Sequence, residues 1–171
     1  EFVTRVIRYD PAGGNPHILP VPPAFAAMPL NGGPEALAMD AEGALYTLPE
    51  VTDRPDGAFP IHRYRDGQWD QPFTIPGTPG FLPVGADFGP DGALYLLERQ
   101  FRGLGGFAAR LRRIEPDGSD AMLFQTPPGT FGNLEGIAIW QAPDGLRATL
   151  VSDDNFLALL GTQLVEFRLP D

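Results

Sequence analysis

The chain of 171 residues contains no cysteine and no lysine. Without cysteine there can be no disulfide, no thiolate nucleophile and no zinc–thiolate site. Without lysine there can be no Walker-type phosphate loop, Schiff-base lysine or lysine general base. Serine occurs only at Ser119 and Ser152, histidine only at His17 and His62, and no Gly-x-Ser-x-Gly elbow is present. The sequence therefore argues against thiol chemistry and against a Ser-His-Asp triad.

Positive charge is also scarce. The 12 basic residues are all arginine, and 22 acidic residues bring the formal net charge to −10. Binding to nucleic acid or to an anionic membrane needs a basic surface, so neither is expected. No apolar run approaches the length of about 18 residues that a membrane span needs. A strongly acidic surface fits metal cations better than polyanions.

One sequence pattern occurs three times, about fifty residues apart, which is the period of β-propeller blades. The copies are EALAMDAEGALYTLPE from Glu35, VGADFGPDGALYLLER from Val84 and EGIAIWQAPDGLRATLVSDD from Glu135. In each copy two short apolar runs flank a glycine-containing turn of the kind that joins hairpin strands. The pattern predicts an all-β fold, a β-propeller of four-stranded antiparallel blades.

The repeats divide the chain into blades of one partial propeller domain, 1–171. Outer strands of a preceding blade and a linker are expected in 1–30, full blades in 31–80 and 81–130, and a last, three-stranded blade in 131–171. The predicted strands are 2–9 and 17–21; 35–39, 44–48, 60–65 and 68–74; 84–88, 93–98, 110–114 and 121–125; and 135–140, 147–152 and 163–169. Such a set cannot close a ring, so we expect a missing N-terminal half or a partner chain to complete it.

The first strand of each blade lines the central channel of a propeller, so acids on these strands are the candidate catalytic groups. Glu35 and Glu135 hold equivalent positions, and Asp87 lies on the first strand of the middle blade. Carboxylates that gather around a channel repel one another unless a cation or protons neutralise them. The alternative is structural, in which Glu35 and Glu135 accept backbone hydrogen bonds that connect neighbouring blades.

Further oxygen ligands follow the second strand of the last blade, where Asp153, Asp154 and Asn155 stand together. With Glu35 and Glu135 they form a candidate metal site, and hard oxygen ligands of this kind favour Ca²⁺. A bound cation could polarise a phosphoryl or carbonyl oxygen and activate water. Consecutive acids also fit an exposed loop, and their spacing matches no EF-hand.

Two arginines, Arg99 and Arg102, follow the second strand of the middle blade. They are candidates to bind a phosphorylated small molecule by bidentate hydrogen bonds. The alternative is surface pairing with Glu98 or with acids of a neighbouring loop.

The segments FLPVGADFGPDGALYLLERQF, GGFAARLRRI, GNLEGIAIW and LVSDDNF resemble the C-terminal half of the bacterial propeller family named for the esterase-like activity of phytase. The resemblance runs from about Asn31 to the C-terminus. It implies a propeller of about six blades, of which this chain would form about half. It also implies an exported protein, periplasmic or extracellular, that hydrolyses phosphate esters or carboxylic esters.

Two function classes remain open from the sequence. The first is metal-assisted hydrolysis of phosphate esters or related esters. The second is a non-catalytic propeller that binds a protein or serves as an accessory subunit of a larger exported assembly. Propellers serve binding as readily as catalysis, so the fold alone does not decide between them.

Overall fold

A computed structural model of the chain describes residues 4–26, 28, 32–156 and 161–170. Almost all of its regular structure is β-strand. The only α-helix in this part is the four-residue α1, Pro23–Ala26, and a single 3-10 turn spans Gly103–Gly105. The strands are β1 (Ile7–Arg8), β2 (His17–Ile18), β3 (Pro34–Met39), β4 (Leu45–Pro49), β5 (Phe59–Pro60), β6 (His62–Arg65), β7 (Gln68–Asp70), β8 (Thr74–Ile75), β9 (Leu82–Phe88), β10 (Leu94–Phe101), β11 (Phe107–Ile114), β12 (Asp120–Gln125), β13 (Asn133–Ala142), β14 (Gly145–Asp153) and β15 (Leu164–Arg168).

Three antiparallel sheets correspond to the three sequence repeats. The first sheet has the order β3-β4-β6-β7, the second has the order β9-β10-β11-β12, and the third has the order β13-β14-β15. In each sheet, strands that follow one another along the chain are neighbours, apart from the small β5–β8 pair beside the first sheet. The all-β architecture predicted from the repeats is confirmed.

The strand boundaries differ from the prediction in the outer parts of the first and second sheets. In the second sheet β10 and β11 extend past the predicted ends, to Phe101 and from Phe107, because the glycines between them form a tight 3-10 turn. In the first sheet the predicted strand 68–74 is divided into β7 and β8, with Pro72 between them. Proline lacks the backbone N–H that a ladder requires, so the pairing is interrupted there.

The hairpin turns have the residues that their geometry demands. In the outer turn of the first sheet, Asp66 and Gly67 both have positive φ, 51° and 83°. This matches a type I′ turn, which Asp-Gly favours. At the inner turn of the same sheet, the Asp40 carboxylate accepts hydrogen bonds from the backbone N–H groups of Glu42 and Ala44.

The hydrophobic core lies in two layers between the sheets. Leu48, Ile61 and Leu96 are among the residues buried between the first and second sheets. Leu97, Leu134 and Leu150 are among those buried between the second and third. Both faces of the second sheet are therefore covered by apolar side chains, which supplies the main driving force for this packing.

The first strands of the three sheets lie side by side, with β9 between β3 and β13. The approach of β9 to β13 is very close at Gly85, where an added Cβ would stand 2.5 Å from the backbone oxygen of Glu135. Glycine is thus required at this position by the distance between two backbones. The arrangement brings equivalent ends of three strands to one place.

A buried ionic network fills part of the face that the second sheet turns toward residues 74–83. Glu98 is fully buried, and its carboxylate accepts hydrogen bonds from Arg110 Nε at 2.7 Å and Arg112 Nη1 at 3.3 Å. The two arginines also donate to Thr78 Oγ1 and to the Pro76 carbonyl. The arginines thus connect the second sheet to the segment that leads into it.

Within the described part of the chain, no helix is long and apolar enough to cross a membrane.

Candidate functional site

Each first strand carries a β-bulge near its beginning. The register against the neighbouring strand shifts around Glu35 in β3, around Val84 in β9 and around Glu135 in β13. The extra residue of a bulge is left out of the ladder, and its side chain is redirected. Glu35 and Glu135 thus occupy equivalent bulge positions, and the middle sheet has valine in that place.

The strand ends opposite these bulges are equivalent as well. Arg99 of β10 pairs with Leu82, and Asp153 of β14 pairs with Asn133. In the first sheet the corresponding residue is Glu50, whose backbone N–H donates to the Gly33 carbonyl. The three sheets therefore bring an acid, an arginine and an acid to equivalent strand ends.

Arg99 lies at the centre of a polar cluster that joins all three sheets. Its Nη2 donates to Glu50 Oε1 at 2.7 Å, and its Nη1 donates to Asn133 Oδ1 at 2.8 Å and to Glu135 Oε1 at 2.5 Å. Asn133 is fully buried, and its amide also donates to Glu135 Oε1 at 2.7 Å. We call these four residues, Glu50, Arg99, Asn133 and Glu135, the Arg99 cluster.

The cluster is partly shielded from water. The exposed fractions of the side chains are 11% for Glu50, 18% for Arg99 and 31% for Glu135. The guanidinium also stands 5.9 Å from the ring centroid of Phe107, which covers part of the site. Charge-assisted hydrogen bonds in such surroundings are stronger than those at an open surface. Glu135 is the most accessible of the three charged members, so it is the one that a small molecule can reach.

Arg99 forms ion pairs with acids of the two neighbouring sheets and not with Glu98. It pairs with Glu50 and Glu135, whereas Glu98, on the opposite face of β10, binds Arg110 and Arg112. Most of the donor capacity of Arg99 is therefore directed at protein oxygens. Its role in binding a phosphate remains a prediction.

Arg102 lies outside the cluster. Its side chain is exposed, and its Nε donates to Gln100 Oε1 at 2.8 Å. Glu35 is exposed at the bulge of β3 and has an interaction of its own. The structure thus brings together Arg99 and Glu135 from the predicted site residues, and it places Arg102 apart from them.

Asp87 connects the second and third sheets. One carboxylate oxygen accepts the backbone N–H of Ile139 at 2.7 Å, and the other accepts the backbone N–H of Phe88 at 2.9 Å. Both oxygens are therefore engaged with the backbone, which is the kind of connection between neighbouring blades that the sequence analysis considered for Glu35 and Glu135. A catalytic role of Asp87 remains a prediction.

The Asp153-Asp154-Asn155 segment forms a compact turn at the end of β14. The Asp153 carboxylate accepts the backbone N–H of Asn155, and that of Asp154 accepts the backbone N–H of Phe156, each at 2.9 Å. Asn155 and Phe156 both have positive φ, a conformation that Asn tolerates and Phe rarely adopts. Among the described residues, no group of three or more Asp, Glu or His side chains is arranged to hold a metal ion. The calcium site of Glu35, Glu135, Asp153, Asp154 and Asn155 remains a prediction.

Glu50 and Asn133 are the members of the cluster that were not among the predicted site residues. Glu50 stands one repeat before Arg99 along the chain, at a separation of 49 residues. The repeat gives a signal for it, because Glu50 follows Gly43 by the same number of residues as Arg99 follows Gly92. Acids were sought at the beginnings of the first strands, so Glu135 is the one acid of the cluster that was predicted.

Comparison with known proteins identifies the family. Residues 1–156 match the Phytase-like family, described as esterase-like activity of phytase. The chain belongs to this family. The match includes the N-terminal segment before Asn31 as well as the segments quoted above, and it covers every residue of the Arg99 cluster. No curated protein matches the chain significantly.

Two solved structures share the fold. A gluconolactonase of Xanthomonas campestris is 18% identical, with a TM-score of 0.50 over 97% of this chain and 44% of its own. A candidate 6-phosphogluconolactonase of Bacteroides uniformis is 20% identical, with a TM-score of 0.51 over 97% of this chain and 50% of its own. The chain thus spans about half the length of these proteins.

Proposed function

We propose that this chain forms part of an ester hydrolase and that the Arg99 cluster is its reaction site. The observation that carries the proposal is the Glu135 carboxylate, which is fixed by two donors, Arg99 and Asn133, and still 31% exposed. A carboxylate that is both oriented and accessible is suited to act on a bound small molecule. Membership of a family described by an esterase-like activity agrees with this assignment.

In the proposed reaction Glu135 acts as a general base. Its hydrogen bonds from Arg99 and Asn133 end on Oε1, and the second oxygen, Oε2, would accept a hydrogen bond from the attacking water. The water loses a proton to Glu135 and attacks the carbonyl carbon or phosphorus atom of the ester. The bond from that atom to the ester oxygen then breaks, and the alcohol leaves with the proton that Glu135 returns. Arg99 stabilises the negative charge that develops close to the cluster.

We propose neutral carboxylic esters, lactones included, as the first substrate class. The formal net charge of −10 disfavours approach of a polyanion. A lactone is a cyclic ester, and both solved structures described above are named as lactonases. Phosphate esters are the second class, and for them metal-assisted hydrolysis with a bound calcium ion is the alternative to the metal-free cluster.

We further propose that the three sheets are blades of a propeller that additional blades complete. Apolar side chains are exposed on the two outer sheets: Leu37 and Met39 on the first, and Trp140, Val151 and Leu164 on the third. In a closed ring these faces would be covered by neighbouring blades. The blades would come from an N-terminal half or from a partner chain, and export to the periplasm or the extracellular space is proposed with them.

The experiment compares hydrolysis by the wild type and Glu135→Gln. The intact protein is assayed with p-nitrophenyl acetate, a δ-lactone and p-nitrophenyl phosphate, with calcium and with a chelator. Loss of the general base should lower kcat/KM for the preferred class by about 10²–10⁴-fold. Glu42→Gln, at an exposed turn position of the first sheet, is the control and should leave kcat/KM unchanged.

The same assay decides between hydrolysis and the alternative function. The exposed apolar faces of the outer sheets favour, as the second candidate, a non-catalytic propeller that binds a partner or serves as an accessory subunit. Equal kcat/KM for Glu135→Gln and wild type would contradict the proposed role of Glu135. Absence of hydrolysis for all three substrates would contradict the hydrolase itself and favour the binding function.

A further inference from the structure

We propose that Arg99 is a resident cation that takes the place of a divalent metal ion in the Arg99 cluster. The proposal concerns the same site as the proposed function but does not depend on hydrolysis. It starts from a disagreement, because the sequence predicts Glu135 as a metal ligand, whereas the structure pairs this carboxylate with the guanidinium of Arg99.

The ligands around Arg99 are those of a hard cation. The guanidinium contacts two carboxylate oxygens, from Glu50 and Glu135, and one amide oxygen, from Asn133. These oxygens come from the first and third sheets, and all three accept hydrogen bonds from one positive group on the second sheet. Carboxylate and amide oxygens arranged in this way are the ligands that Ca²⁺ takes in proteins.

The position of Arg99 within the repeat supports the view that arginine takes the place of a metal ion. At the equivalent strand end the first sheet has Glu50 and the third has Asp153. An acid in place of Arg99 would stand beside the carboxylates of Glu50 and Glu135, and three acids there would repel one another and would need a bound cation. Arginine in the middle sheet reverses one of the three charges and supplies the compensation from within the chain.

Arginine gives this compensation permanently. The guanidinium stays protonated throughout the pH range of proteins, and its planar donors can serve several oxygens at once. The side chain is 18% exposed, so its charge is only partly screened by water. We therefore infer that the cluster is neutralised without a metal ion and that an added metal ion would have to displace Arg99.

The experiment removes the positive charge of Arg99 and measures whether calcium then binds in its place. Arg99→Met retains a long apolar stem, Arg99→Lys retains the charge, and Arg102→Met removes an arginine that contacts Gln100 instead of a carboxylate. Calcium binding to the intact proteins is measured by titration calorimetry, together with the Tm in calcium and in chelator. Neither measurement uses a substrate, so failure of the proposed function would leave this test unaffected.

We expect Arg99→Met to bind one more calcium ion than the wild type, with a Kd of about 10⁻⁴–10⁻³ M, and to show a higher Tm in calcium than in chelator. The lysine variant and Arg102→Met should match the wild type. Adding Glu135→Gln to Arg99→Met should abolish the additional site.

Three results would overturn the proposal. The first is an equal number of bound calcium ions in Arg99→Met and wild type. The second is a calcium ion bound by the wild type and lost in Glu135→Gln, because the metal would then share the cluster with Arg99. The third is an Arg99→Met protein that folds neither with nor without millimolar calcium, because the role of Arg99 would then be that of a structural ion pair that calcium cannot replace.

Discussion

Replacement of Glu98 by glutamine is predicted to be one of the most destabilising isosteric changes in this chain. The carboxylate is fully buried and accepts hydrogen bonds from both Arg110 and Arg112. Glutamine keeps the volume, but it removes the charge and turns an amide donor toward one of the two guanidinium groups. Arg112 would keep its ion pair with Asp120, whereas the buried guanidinium of Arg110 would face a neutral acceptor in place of its carboxylate.

The magnitude follows from the burial of the three side chains. Exposed fractions are 0% for Glu98, 8% for Arg110 and 5% for Arg112, so water cannot replace the lost partner. Removal of one member of a buried ion pair costs about 3–5 kcal/mol, and the hydrogen bond retained by glutamine places this variant near 3 kcal/mol. For a chain of this size each kcal/mol lowers the Tm by about 2–4 °C, which gives a decrease of about 6–12 °C.

Thermal and urea unfolding of the intact protein, followed by circular dichroism, measure this loss. The matched control is Glu166→Gln, which breaks the pair with Arg147 on the third sheet, where the Glu166 side chain is 45% exposed. An exposed pair contributes about 0.2–1 kcal/mol, so the control should stay close to the wild type. A Glu98→Gln protein as stable as the control would refute the reasoning about the buried network.

Two further predictions concern backbone contact and pH. Gly85→Ala would place a Cβ 2.5 Å from the Glu135 backbone oxygen, so it should lower the free energy of unfolding by about 1–3 kcal/mol and reduce any activity at Glu135. Gly161→Ala is the control, because the space around Gly161 is open, and it should change neither property. Urea unfolding and esterase assays measure the two effects. Burial lowers the pKa of His62 below its usual 6.5. Below about pH 6.5 the unfolded state therefore binds a proton that the folded state does not. The free energy of unfolding should then fall as the pH decreases, by at most about 1.4 kcal/mol per pH unit. In unfolding measured at several pH values, His62→Gln should flatten this dependence, and His17→Gln, at an exposed position, should leave it unchanged. An equal slope of unfolding free energy against pH in wild type and His62→Gln would contradict the assignment of this effect to His62.

The all-β architecture could be predicted from the sequence because local signals and the repeat agree. Asp-Gly turns fix the hairpins, and the period of about fifty residues requires several strands in each repeat. The interruption between β7 and β8 was not predicted, although Pro72 provides its physical reason. The predicted strand from Gln68 to Thr74 combined residues that pair with two different strands.

The candidate site could be predicted only in part. The equivalence of Glu35 and Glu135 is visible in the repeat, and the structure places both at bulges. The partners of a side chain depend on which strand ends meet, and this is set by packing between sheets. For that reason the sequence did not indicate that Arg99 would join Glu50 and Glu135, or that Asp87 would bind the backbone of the next sheet.

The central claim is that Arg99 and Glu135 act as one electrostatic unit in the candidate site. A double-mutant cycle with Arg99→Met, Glu135→Gln and the double variant, evaluated by urea unfolding, tests it most directly. The 2.5 Å contact between two partly buried charges predicts a coupling free energy of about 1–3 kcal/mol. Effects of the two substitutions that add to within about 0.3–0.5 kcal/mol would contradict the account.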